Sequence, residues 1–168
     1  MTNQVWFAHT QSEDLPAACR RLLAAALGGP ARVEHLPGGQ PWLPEYPQVQ
    51  VSLAHTRGGV AVALSEAPVG LDLERLGRPV RPGLADRYFT PTERAYARDP
   101  QRVLEVWTRK EALLKREGIG LRMRLGRVET LERPDLVSWR REGFQFSFCG
   151  TPAVFCWRCI PLDGEQPR

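Results

Sequence analysis

The chain is poor in lysine. Of its 23 basic residues only Lys110 and Lys115 are lysines, and the other 21 are arginines. Lysine is a compact, rotatable donor, whereas arginine is a planar fork that keeps its proton. Two lysines confined to one stretch, Lys110-Glu-Ala-Leu-Leu-Lys115, point to chemistry that arginine cannot supply. The alternative is a chance cluster on a solvated helix face.

Other absences narrow the choice. No run approaches the ~20 apolar residues of a membrane span, so no membrane partner is expected. The N-terminus, Met1-Thr-Asn-Gln-Val-Trp6, lacks a basic start followed by an apolar run, so the expected location is the cytoplasm. There is no Walker loop, no Gly-x-Gly-x-x-Gly and no nucleophilic triad. Cysteine is scarce: Cys19 and Cys149 stand alone, and Cys156-Trp-Arg-Cys159 has redox spacing. That pair lies in an apolar run that reads as a strand, whereas a redox pair belongs at a helix N-terminus. No second pair completes a zinc site, so buried strand cysteines are expected.

What is present is ordinary globular material, 168 residues with 42% hydrophobic and 25% charged, enough for one domain or two small halves sharing a core. The net charge of +4 and the pI of about 9.2 suit an anionic partner. The arginines are dispersed and never alternate with aromatics, which argues against nucleic acid.

Val5 to His9 reads as a strand. Asp14 can cap a helix from Leu15 to Leu27, stopped by Gly28-Gly29. Residues 30–47, rich in Pro and Gly, read as a shaped loop. Val49, Val51 and Leu53, then Val60, Val62 and Leu64, alternate as a hairpin around a His55–Gly59 loop. In Val69-Gly-Leu-Asp-Leu-Glu74, Asp72 and Glu74 share one strand face, about 7 Å apart at the backbone. They form either a solvated face or a charged pair awaiting something positive. Thr90-Pro-Thr-Glu93 fits a capping box, which gives Glu93 a structural role to weigh against a functional one. Asp99-Pro100 opens a helix that Gly118 ends. It carries Trp107, Lys110, Glu111 and Lys115. Four strands are then expected, at Val128–Leu131, Val137–Arg140, Phe144–Phe148 and Val154–Ile160.

Asp72, Glu74 and Glu111 are all oxygen donors, the ligand type that Mg²⁺ takes together with water and substrate phosphates. A lysine one turn from Glu111 could offset charge on a phosphate leaving group.

Three segments, Val69-Gly-Leu-Asp-Leu-Glu74, Phe89-Thr-Pro-Thr-Glu93 and Trp107-Thr-Arg-Lys-Glu-Ala-Leu-Leu-Lys115, together resemble the signature of the 4′-phosphopantetheinyl transferases. Gly39-Gln-Pro-Trp-Leu43 and Ser52-Leu-Ala-His55 look like two further motifs of the two-half, surfactin-synthetase-activating type, here with a shorter N-terminal half. The resemblance implies an α+β fold of two similar halves packed as a pseudo-dimer, residues 1–67 on the coenzyme side and 68–168 with the metal and catalytic motifs. It implies transfer of the phosphopantetheine arm of coenzyme A to a serine of an apo acyl or peptidyl carrier protein, by a monomer.

By the same resemblance Asp72, Glu74 and Glu111 hold Mg²⁺, with Asp72 and Glu111 also counted as catalytic. Glu111 helps deprotonate the serine and Lys115 stabilises the leaving phosphate. His55, Lys110, Gln40, Pro41, Ser52 and Ala54 contact the coenzyme. Arg109, Arg116, Arg122 and Arg124 are a candidate rim for an acidic carrier, or plain solvated surface. Gln40 stands where the family commonly has Lys, and Ala54 where it commonly has Ser. These departures favour the alternative reading, a degenerate relative that binds carrier or coenzyme A without transferring.

Overall fold

The computed structural model describes residues 2–118 and 124–162. The elements follow in the order β1 (Gln4–His9), α1 (Leu15–Leu27), β2 (Glu34–His35), β3 (Pro41–Trp42), β4 (Gln50–Thr56), β5 (Gly59–Ser65), β6 (Gly70–Arg75), α2 (Leu84–Tyr88), α3 (Pro91–Tyr96), α4 (Pro100–Glu117), a 3₁₀ turn (Leu125–Arg127), β7 (Leu136–Arg141), β8 (Phe144–Cys149) and β9 (Cys156–Cys159). The class is α+β, as expected.

Helix boundaries follow local chemistry. Asp14 Oδ1 accepts the Ala17 N–H at 2.9 Å, and Gly28 ends α1 in the left-handed region at φ 76°. Asp99 caps α4 through the Arg102 N–H, and Gly118 ends it at φ 64°. The Thr90–Glu93 capping box opens α3.

Two sheets carry the core. The first runs β4-β5-β1-β9 and the second β6-β8-β7. Alternation assigns their faces. On β5, Val60, Val62 and Leu64 pack with Ala18, Leu22 and Leu23 of α1, while Ala61 and Ala63 face the other way. There they meet Leu71 and Leu73 of β6 and Phe144, Phe146 and Phe148 of β8. The opposite face of the second sheet takes α4, with Ala112 and Leu113 against Cys149. The layers are therefore α1, sheet, sheet, α4. Both sheets are covered on both sides, and every residue of β5 and β8 is buried. The pattern at Val60–Leu64 suggests a half-buried strand because alanine, apolar but small, fills the second face. Each large side chain so buried stabilises by about 1.5–3 kcal/mol.

The strand β4 runs on through Thr56 and pairs it with Gly59, so His55 lies within the strand and not in a loop. Ser52 Oγ accepts the Leu71 N–H at 2.9 Å, joining the two sheets where β4 passes β6.

Two expectations need correction. The segment Val128–Leu131 is not a strand: Glu93 and Glu129 take its N–H groups, while Lys110 and Arg109 take its carbonyls, so no ladder can form. Cys156 and Cys159 are in a strand but exposed, because β9 is an edge. Three residues apart in a strand, they also point to opposite faces. Late in the chain, β9 returns to pair in parallel with β1.

Candidate functional site at the β6–α4 seam

Gly70 sets the geometry. A Cβ there would lie 1.8 Å from the Ala112 carbonyl oxygen and 2.7 Å from the Arg116 nitrogen. Only glycine lets β6 run backbone to backbone against α4. Asp72 and Glu74, next on the same face, then look onto the helix.

Lys115 closes the gap. Its Nζ donates to Asp72 Oδ1 at 2.7 Å and to the Leu71 carbonyl at 2.9 Å. Glu74 Oε2 meets Arg78 at 3.2 Å and accepts from Thr56 Oγ1 at 3.4 Å. Glu111 makes no ion pair among the described residues.

The electrostatics are those of acids crowded together. Burial pushes Asp72 above its usual range, opposed by Lys115. Burial, then the charge of Asp72, raises Glu74. Glu111 is pushed up to about 7, mainly by burial, then by Asp72, with Glu74 adding and Lys115 opposing. The three carboxyl groups therefore share one field, as like charges near each other must.

Beside them a cleft of about 540 Å³ opens. Glu111, Leu114 and Lys115 of α4 form one wall; Ser52 and His55 of β4 and the Gly38–Pro41 loop form the other. The loop is fastened to the end of α4. Gln40 Nε2 donates to the Arg116 carbonyl at 3.2 Å, and a Cβ on Gly118 would strike the Gln40 side chain at 2.0 Å.

Of the sequence-predicted residues, Glu111, Lys115, Gln40, Pro41, Ser52 and His55 line this cleft. Asp72 is tied to it through Lys115, whereas Glu74 lines a separate opening with Arg78 and Trp107. Two others do not line it. Ala54 is buried in the core between the sheets. Lys110 is fully buried on another side of α4, 2.7 Å from Glu93 Oε2, and donates to the Leu125 and Val128 carbonyls. Among the described residues its charge is taken up by these three oxygens, and it does not reach the cleft. Glu93 also accepts from the Thr90 N–H and from the Thr130 N–H and Oγ1, so its carboxylate is satisfied inside the fold.

The arginine rim also changes. Arg109 is buried and donates to Thr130, Leu131 and Leu136 carbonyls and to Ser138 Oγ. Arg116 is paired with Asp135. Arg122 lies outside the described residues. Arg124 instead joins Arg87, Arg94 and Arg127 around a separate cleft of about 620 Å³, floored by Tyr88, Phe89 and Leu125. None of these four makes an ion pair among the described residues. Spacing in the sequence, with members 30 to 40 residues apart, gave no sign of that group. His35 and Arg20 also line the main cleft and carried no pattern that singled them out.

A sequence model of the 4′-phosphopantetheinyl transferase superfamily matches residues 68–167. The chain belongs to that superfamily. Among its relatives, a 4′-phosphopantetheinyl transferase of Bacillus subtilis is 29% identical over 93 residues, 52% of this chain and 41% of that protein. The 4′-phosphopantetheinyl transferase Sfp of Bacillus subtilis strain 168 is 30% identical over the same extent. The 4′-phosphopantetheinyl transferase psf-1 of Bacillus pumilus is 29% identical over 89 residues, 49% of this chain and 38% of that protein. The match thus spans less than half the length of these curated relatives. Asp72, Glu74, Glu93, Lys110, Glu111 and Lys115 all fall inside the family match, whereas Gln40, Pro41, Ser52 and His55 come from the part before it. Among the described residues no helix is long and apolar enough to cross a membrane.

The donor set fits Mg²⁺ by its chemistry, since all three groups are hard oxygens and Mg²⁺ is usually held by one or two carboxylates plus phosphates. Among the described residues no group of three or more His, Cys, Asp and Glu side chains is already placed to hold a metal ion.

Proposed function

We propose that the chain transfers the 4′-phosphopantetheine arm of coenzyme A to a serine of an apo acyl or peptidyl carrier protein. One observation carries this reading: Glu111 and Lys115 project from one helix into a cleft of about 540 Å³, beside Asp72 and Glu74. The two sheets, each with a long helix on its outer side, serve as the halves of a pseudo-dimer, with the coenzyme between them and a single chain as the working unit.

The serine oxygen attacks the phosphorus bearing the pantetheine arm. The bond from that phosphorus to adenosine 3′,5′-bisphosphate breaks. Glu111, pushed up to about 7, accepts the serine proton at a pH where it is partly ionised. Lys115 stabilises charge on the departing phosphate. His55, Ser52 and the Gln40–Pro41 loop orient the coenzyme from the facing wall. Mg²⁺, held by Asp72, Glu74 and Glu111, would neutralise the pyrophosphate. Displacement at phosphorus needs mainly positioning and charge, which these groups supply.

The carrier docks on the cleft bearing Arg87, Arg94, Arg124 and Arg127, which suits an acidic surface. Tyr88 borders this cleft and also a second opening that contains Glu74 and Trp107, so the docking face runs up to the carboxylates.

The test is mass spectrometry of a panel of apo carriers incubated with protein, coenzyme A and Mg²⁺. A carrier heavier by one phosphopantetheine is the expected product. No mass change on any carrier would overturn the reading. A second reading, binding without transfer, is favoured by Gln40, which brings no charge to the cleft and is tied to the Arg116 carbonyl. Calorimetric binding of coenzyme A with no mass shift would select it.

A further inference from the structure

We propose that Lys115 and Arg78 are stand-in cations, which occupy the two strand carboxylates in the metal-free chain and must be displaced when a divalent cation binds. This rests on the reading that Asp72, Glu74 and Glu111 receive such a cation.

Each carboxylate of β6 has its own internal base. Lys115 Nζ lies 2.7 Å from Asp72 Oδ1, and the Arg78 guanidinium lies 3.2 Å from Glu74 Oε2. Two largely buried carboxylates on one strand face repel and lose hydration, so unpaired they would be costly. The two bases remove that cost. They also fill the positions through which oxygen donors would reach a metal.

Neither base is built in permanently. The contrast with Lys110 is direct. Lys110 is fully buried and has three oxygen partners, Glu93 and the Leu125 and Val128 carbonyls. Lys115 has two, keeps 31% of its side chain exposed and already lines the coenzyme cleft. Arg78 Nε is buried without a hydrogen-bond partner. Buried donors in a settled pair are normally satisfied, so this guanidinium is held by charge rather than by a complete set of bonds. Its other surroundings are the opening lined by Arg81, Tyr88 and Trp107.

Displacement therefore has somewhere to send both groups. The Lys115 ammonium is released into the cleft beside Glu111, Gln40 and His55, where the coenzyme phosphates would need it. Arg78 is released toward the Tyr88–Trp107 wall. A cation frees the lysine and a phosphate takes it up, so the two ligands assist each other. Such coupling is reciprocal, with each raising the affinity of the other by the same factor.

The experiment measures Mn²⁺ binding by electron paramagnetic resonance, without and with coenzyme A. It uses the wild-type chain, Lys115→Met, Arg78→Met and the control Arg81→Met. Arg81 lines the same opening as Arg78 but pairs with no carboxylate among the described residues. Without coenzyme, Lys115→Met and Arg78→Met are expected to bind Mn²⁺ about tenfold more tightly than wild type, a difference of about 1.4 kcal/mol. Arg81→Met is expected to match wild type. Coenzyme A should tighten Mn²⁺ binding to wild type, and much less so to Lys115→Met. Equal affinities in wild type, Lys115→Met and Arg78→Met would overturn the proposal. So would a gain in Arg81→Met as large as theirs, which would show only a general field. If the carrier still gains its mass, such results remove the stand-in role alone. No Mn²⁺ binding by any protein, with or without coenzyme, removes the metal site and the stand-in role together.

Discussion

Lys110 Nζ and Glu93 Oε2 lie 2.7 Å apart with neither side chain exposed. Around this pair converge α3, α4, the 3₁₀ turn and the segment ending at Thr130. Removing one partner leaves a buried charge uncompensated, which costs about 3–5 kcal/mol. Lys110→Met and Glu93→Gln are each expected to destabilise the fold by about that much in urea titration. Any loss of transfer by Lys110→Met should follow the fraction folded. A well-folded, inactive Lys110→Met would instead assign Lys110 to the site.

Gly70 is a second point of strain-free contact that no other residue can occupy. Its neighbours are the Ala112 carbonyl and the Arg116 nitrogen, both backbone, so they cannot swing aside. Gly70→Ala must push α4 off β6 and lengthen the Lys115–Asp72 contact. Overpacking of this kind costs about 1–3 kcal/mol. Turnover is expected to fall more than the loss of folded protein explains, because positioning is what fails. Thermal melts beside transfer rates would show it, and wild-type turnover in Gly70→Ala would refute it.

Glu111 sets a pH dependence of stability. Its pKa rises from 4.5 to about 7, first through burial and then through Asp72. Between those values the folded chain binds the proton that the unfolded chain releases. The stabilisation from that proton is complete below about pH 4.5 and is lost as pH rises through about 7. Glu111→Gln cannot lose it. In chelator-treated buffer the melting temperatures of wild type and Glu111→Gln should agree near about pH 5, with the variant higher near about pH 8. Parallel profiles across that range would contradict the shift.

Arg87, Arg94 and Arg127 offer a test of docking apart from chemistry. Reversing all three to Glu should raise the KM for the carrier about tenfold or more, while coenzyme A binding stays at the wild-type value. The wild-type KM should rise with salt and that of the variant should not. An unchanged KM would place the carrier elsewhere.

Much of this was legible in the chain itself. Asp14, Thr90 and Asp99 announce helix starts, and Gly28 and Gly118 announce ends, because caps are local chemistry. Period-two alternation put Asp72 and Glu74 on one face, and they are there. The strand expected at Val128–Leu131 failed because distant side chains, Glu93, Arg109 and Lys110, take its backbone groups. Ala54 sits in the Ser52–His55 motif yet faces the core, because it shares the β6-facing side of β4 with Ser52 and points away from His55.

The two lysines mark the boundary between the two kinds of information. The sequence alone determined that they share one helix, and that about 140° of rotation separates them. It could not say which of them faces the carboxylates. That was decided by the sheet against which α4 packs, and by Gly70, which lets the sheet come close. Lys115 was thereby turned to Asp72, and Lys110 was buried against Glu93. A helical period fixes angles between side chains, and only packing against other elements fixes what lies at each angle.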